Sequence, residues 1–141
     1  MIRERRILVD KYVRTFGNIH TDLKFKDGLT IITGKSGSGK SFIFKNIVFE
    51  NQIKENDFFL IDAMSQDRKS KIGELKNRVI VIDNASSILK MRDRRKIAFD
   101  FDNQYIIFSH SINGFMCDGD NIAELVSKNG NLSLVYQFEN V

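Results

Sequence analysis

The chain has 141 residues, 42% hydrophobic and 28% charged, which suits one globular domain over 1–141 with a real core. Its one cysteine, Cys117, excludes an internal disulfide and a cysteine-based metal site, and no run nears the ~18 apolar residues of a membrane span. A net charge of +4 with pI near 9.2 permits a nucleic-acid partner without demanding one.

The start, MIRERR, has no signal-peptide apolar core, and a cytoplasmic protein is expected. Residues 7–13, ILVDKYV, read as a strand. Residues 20–25 alternate polar and apolar, as a half-exposed strand does. Asp27-Gly28 signals a tight turn into a third strand at 29–33. These form an antiparallel N-terminal unit. A helix over 41–49 follows, then a buried strand at 57–62, a charged helix over 66–77, a strand at 78–83 and a helix over 85–99. A buried strand at 104–109, a helix over 121–127 and a last strand at 131–138, after the turn Asn129-Gly130, complete the chain. Near-continuous apolar strands alternating with helices predict an α/β fold with a mostly parallel sheet covered on both faces. Ligands of such sheets bind at the carboxyl ends of the strands.

The strand at 29–33 runs into Gly34-Lys35-Ser36-Gly37-Ser38-Gly39-Lys40-Ser41, and a helix follows. This is G-x-x-x-x-G-K-[ST], the phosphate-binding P-loop, in the strand–loop–helix setting its chemistry needs. The glycines let backbone N–H groups turn inward, and the helix N-terminus adds partial positive charge under a phosphate. Lys40 is placed to reach the β- and γ-phosphates, and the Ser41 hydroxyl to ligate Mg²⁺.

Residues 79–83, VIVID, have the form of a Walker B strand, which delivers Asp83 to the carboxyl edge of the sheet as a second Mg²⁺ ligand. The alternative is an Asp that caps the next helix. Asn84 follows, and an amide orients water but accepts no proton at neutral pH. Ser109-His110-Ser111 ends the strand after Walker B. A strand there usually lies beside the P-loop strand, so His110 is a candidate to meet the γ-phosphate. Gln66 is a surface residue or a contact to metal-bound water. The densest basic run, residues 90–96 (KMRDRRK), is a solvated helix face, a phosphate contact or the source of an arginine for a neighbouring subunit. The phenylalanines, among them Phe42, Phe44, Phe49, Phe58, Phe59, Phe99, Phe101 and Phe108, are expected mostly in the core.

The run ILVDKYVRTFGNIHTDLKFKDGLTIITGKSGSGKS resembles the opening of ABC-type ATPases, above all their chromosome-maintenance and DNA-repair branch, with Phe25, Gly28, Leu29 and Ile32 in the family frame. VIVIDN is similar to the Walker B segment, YIIFSHS to the strand that ends in the switch histidine, and NIAELVSKNGNLSLVYQFEN to the closing strands. The resemblance implies a P-loop NTPase three-layer sandwich with ATP and Mg²⁺ as ligands. It implies catalytic roles for Lys40, Asp83, Asn84 and His110, and a phosphate cradle over 34–41. The family signature LSGGQ is absent, the segment between Ser41 and Asp83 is too short for the helical subdomain that carries it, and Asn84 stands where a glutamate is usual. The expectation is a reduced ATPase module with slow hydrolysis, acting on a protein partner, a second copy or DNA. The alternatives are a small-molecule or nucleotide kinase, and a non-catalytic nucleotide-binding protein.

Overall fold

The computed structural model describes residues 4–137. It is an α/β structure built on one eight-stranded mixed sheet, in the order β1-β2-β8-β7-β3-β6-β5-β4. The strands are β1 (Lys11–Phe16), β2 (Ile19–Lys24), β3 (Leu29–Thr33), β4 (Phe59–Ile61), β5 (Val79–Ile82), β6 (Gln104–Phe108), β7 (Ile122–Lys128) and β8 (Asn131–Tyr136). The β1–β2 and β7–β8 pairs are antiparallel; β2–β8 and every neighbour from β7 across to β4 are parallel. The helices are α1 (Lys40–Gln52), α2 (Ala85–Ile88) and α3 (Met91–Phe99). No helix among the described residues is long and apolar enough to cross a membrane.

The apolar runs of β3, β5 and β6 are buried on both sides of the sheet, as their composition requires. Alternate residues feed two cores. Ile32, Val81, Ile106 and Phe108 pack with Ile43, Phe44 and Ile47 of α1. Leu29, Ile31, Ile80, Ile82, Tyr105 and Ile107 pack with Ala85 and Ile88 of α2 and Ile97 of α3.

Several expected elements differ. The first strand begins at Lys11, not at 7, because the preceding segment is claimed by a side chain. Buried Gln104 accepts from the N–H groups of Leu8 and Val9 at 2.7 and 2.8 Å and donates to the Val9 carbonyl at 2.7 Å. The segment also runs against Gly28, where a Cβ would lie 2.3 Å from the Arg6 carbonyl, so that turn must be glycine. The helix expected over 66–77 is only a 3-10 helix, Gln66–Lys71. Ile72 turns extended to enter the core, and Gly73 follows at φ +86°. The helix expected over 85–99 is broken at Leu89 and Lys90, both extended; Leu89 drops into the core and Asp93 accepts from the Lys90 N–H at 2.9 Å to start α3.

The largest correction is 121–127, which is not a helix but β7. Ala123 and Leu125 are buried and Glu124 between them is exposed, a period of two. Asn129 and Gly130 both have positive φ, 54° and 80°, and join β7 to β8 with Lys128 opposite Asn131. This is the two-residue Asn-Gly hairpin turn, which needs a strand on each side of it. The last strand ends at Tyr136, and its expected end at residue 138 lies outside the described residues. Phe44 and Phe108 are in the core, whereas Phe49 and Phe99 are exposed.

Candidate functional site

The loop between β3 and α1 opens at the carboxyl edge of the sheet. With Asp83, Asn84, Phe108, Ser109 and His110 it lines a cleft of about 640 Å³ that includes every residue from Lys35 to Phe42. Strand order brings these groups together. β6 lies between β3 and β5, so the end of β6 sits between the loop and Asp83. The Ser109 N–H donates to the Ile32 carbonyl at 3.0 Å, and the Asp83 N–H to the Ile61 carbonyl at 2.9 Å. Of the expected loop residues 34–41 with Asp83, Asn84 and His110, all but Gly34 line the cleft; Gln66 and the basic run 90–96 do not.

Two of the loop glycines sit at positive φ in close quarters. A Cβ on Gly34 would stand 2.7 Å from Ser38 Oγ and 3.2 Å from the Leu125 carbonyl. Gly39, at φ +117°, would place a Cβ 3.1 Å from a Leu132 methyl. The strands mistaken in part for a helix therefore form the floor of the loop. α1 starts at Lys40 with no side-chain cap on its first-turn N–H groups. Those donors and the helix dipole are left for an anion. Ser38 Oγ is buried with no partner among the described residues, an orphaned donor in the wall of the same loop.

Lys40 Nζ donates to the Gly34 carbonyl, closing the loop on itself. Burial lowers the Lys40 pKa, and the charge of Asp83 partly opposes this. Burial raises the Asp83 pKa; the Asn84 N–H and Lys40 pull it down, and Asp62 pushes it further up. Asp62 is a residue that sequence reasoning passed over. It follows β4 as Asp83 follows β5, in a register that pairs Ile61 with Ile82. Asp62, Asp83 and Ser41 share a smaller cavity of about 310 Å³. The signal was available, since 57–62 ends in an acid just as 79–83 does. Asp62 Oδ1 is occupied by the Met64 N–H and the Ser65 hydroxyl at 3.0 and 2.9 Å.

Asn84 has φ +54° and ψ +42°, the left-handed conformation. Asparagine tolerates that region better than residues with longer side chains. Its Oδ1 accepts from the Ser87 hydroxyl at 3.3 Å. The backbone at this position therefore accounts for an asparagine by itself. His110 is exposed and its N–H donates to Ser86 Oγ at 3.1 Å. Gln66 bonds to the Ala63 carbonyl at 3.3 Å and is a surface residue. Among the described residues no group of three or more His, Cys, Asp or Glu is gathered in the manner of a metal cluster. Ser41 and Asp83, expected as the metal ligands, both line the cleft and offer hard oxygen donors, a pair that suits a cation keeping water and phosphate as its other ligands.

Comparison with family models, with curated proteins and with solved structures found no match to this chain.

Proposed function

We propose that this chain is a cytoplasmic ATP- and Mg²⁺-binding P-loop ATPase module, slow in hydrolysis, that couples nucleotide state to a protein or nucleic-acid partner. The observation that carries it is the uncapped start of α1 behind a loop whose three glycines all hold positive φ, two of them, Gly34 and Gly39, in close quarters. Such a backbone is a cradle for a polyphosphate. The fit extends to the side chains. Lys40 lies in the loop, orphaned Ser38 Oγ in its wall, and Ser41 and Asp83 face one cleft. In this proposal the N–H groups of 35–41 and Lys40 hold the phosphates, and Ser41 and Asp83 hold Mg²⁺. The ion supplies charge neutralisation on the transferred phosphoryl group. His110 sits at the γ-phosphate end. The finer fold assignment, a P-loop NTPase three-layer sandwich related to ABC-type ATPases, belongs to the same proposal. The run β7-β3-β6-β5-β4 and the helices on both faces support it.

One observation favours a second reading, a nucleotide-binding protein without turnover. The residue after Asp83 is an amide in a left-handed turn and is engaged with Ser87. A single experiment separates the two readings. Binding of ATP and GTP is measured by calorimetry with and without Mg²⁺, and phosphate release is followed with and without DNA. Saturable Mg²⁺-dependent binding with measurable release supports the ATPase module. Binding without release under every condition selects the second reading, and no binding by folded protein overturns both.

A further inference from the structure

The basic run at 90–96 looks uniform in sequence, but the structure divides it. Arg92, Arg95 and Lys96 are exposed and have no bonded partner among the described residues. Arg94 turns inward. Its Nη1 donates to the Asn113 carbonyl at 2.9 Å and its Nη2 to the Ser86 carbonyl at 3.5 Å, and its guanidinium lies 5.0 Å from the Phe115 ring centre. Gly114 is packed on it so closely that a Cβ there would stand 2.4 Å from Nη1. Arg94 Nε is buried with no partner among the described residues, an uncompensated donor retained in spite of its cost.

These contacts converge on one short segment. Residues 109–115 start on the cleft wall with Ser109 and His110 and run on beyond it, and they hold together locally. Ser109 Oγ donates to the Ser111 carbonyl at 2.6 Å, the Asn113 N–H to Ser111 Oγ at 3.1 Å, and the Phe115 N–H to the Ile112 carbonyl at 3.2 Å. His110 and residues 112–114 are exposed, so between buried Ser109 and the part-buried Phe115 packing does little to fix the segment. Besides the packing of Phe115 under Arg94 and against the core, two hydrogen-bonded ties among the described residues join it to the helices. Arg94 grips Asn113, and Ser86, which Arg94 also holds, accepts from the His110 N–H. We propose that Arg94 is the positioning residue for His110. It clamps the 109–115 segment to α2 and so sets where the imidazole meets a ligand in the cleft. The clamp is a matter of geometry; its consequence for ligand binding rests on the nucleotide reading above.

The chain has two histidines, which gives a direct test. His20 lies on β2, with Nδ1 2.9 Å from Thr15 Oγ1, and serves as an internal reference. The imidazole Cε1–H signals are recorded by NMR for wild type, Arg94→Gln and Arg94→Lys, without ligand and with ATP and Mg²⁺. In Arg94→Gln the His110 signal is expected to move and sharpen toward that of a free side chain, with His20 unchanged. Its ATP-induced shift should fall by at least half, and ATP affinity several-fold. Arg94→Lys keeps the charge and the stem but cannot bridge two carbonyls, so it should restore little. It also supplies the comparison should Arg94→Gln fail to fold. A folded variant in which both histidine signals match wild type overturns the clamp. Equal displacement of His20 and His110 also overturns it, because that marks a general loss of structure. If wild type binds no ATP, the nucleotide reading fails, and the ligand-free spectra still decide the clamp.

Discussion

Lys40 Nζ is bonded to the backbone carbonyl of Gly34, the first residue of its own loop. The cation is therefore held within the loop, and in the proposed nucleotide reading a phosphate has only to replace one carbonyl as its partner.

That arrangement makes Lys40→Ala informative. Charge-assisted hydrogen bonds are worth about 1.5–3 kcal/mol each, so ATP affinity should fall roughly 10- to 100-fold or more. Circular dichroism should be unchanged, because one part-buried hydrogen bond within the loop is lost and Lys40 is not a core residue. Calorimetry showing wild-type affinity in the folded variant would remove the cradle reading.

Gly39→Ala tests the floor of the loop. The substitution puts a side chain at φ +117° and against Leu132. A left-handed or more strained backbone costs a non-glycine residue ~1–3 kcal/mol, and chemical denaturation should report a loss of that size. Gly37→Ala is the control. It carries the backbone penalty at φ +83° but meets no atom within 4 Å, so its loss should be smaller.

Asp83→Asn should have opposite effects on stability and on binding. Burial raises the Asp83 pKa in the folded protein above its ordinary value. The folded state therefore favours the protonated acid. The stabilisation this gives is complete at low pH and is lost as pH rises through the folded pKa. At neutral pH the metal-free protein carries the cost of a buried charge, and an amide removes it. Metal-free Asp83→Asn should melt above wild type at pH 7, with the gap closing as pH falls toward 3. Its Mg²⁺-dependent gain in ATP affinity should be reduced. Thermal melts in chelator across pH, paired with calorimetry, check both; a variant that melts lower at neutral pH contradicts the sign.

Asn84 separates chemistry from backbone. Asn84→Gly should be tolerated, and Asn84→Glu should lose about 1–2 kcal/mol of stability, because glutamate is placed in a left-handed turn. If a missing carboxylate limits hydrolysis, Asn84→Glu nevertheless releases phosphate faster than wild type at similar ATP affinity. A flat rate with binding retained places the missing group in a partner or a second subunit.

What was legible in the sequence was what neighbouring residues settle among themselves. The strand at 29–33, the loop glycines, Lys40 and the acid that ends 79–83 are each carried by a few contiguous residues. The hairpin was also legible. Asn129-Gly130 demands paired strands, yet residues 121–127 are a short apolar run whose local pattern fits a helix as well as a strand.

The amino-acid sequence by itself determined the α/β class, the buried strands and the place where a loop of bare backbone meets a helix start, because propensity, alternation and turn chemistry act over a few residues. Only the tertiary structure decided the order β7-β3-β6-β5-β4, which seats His110 between the loop and Asp83 and sets Asp62 beside Asp83. It alone turned Arg94 inward while its equally charged neighbours stayed in water. Those outcomes depend on contacts between residues far apart in the chain, such as Arg5 with the end of α3 or Gln104 with Val9, whose partners no local pattern names.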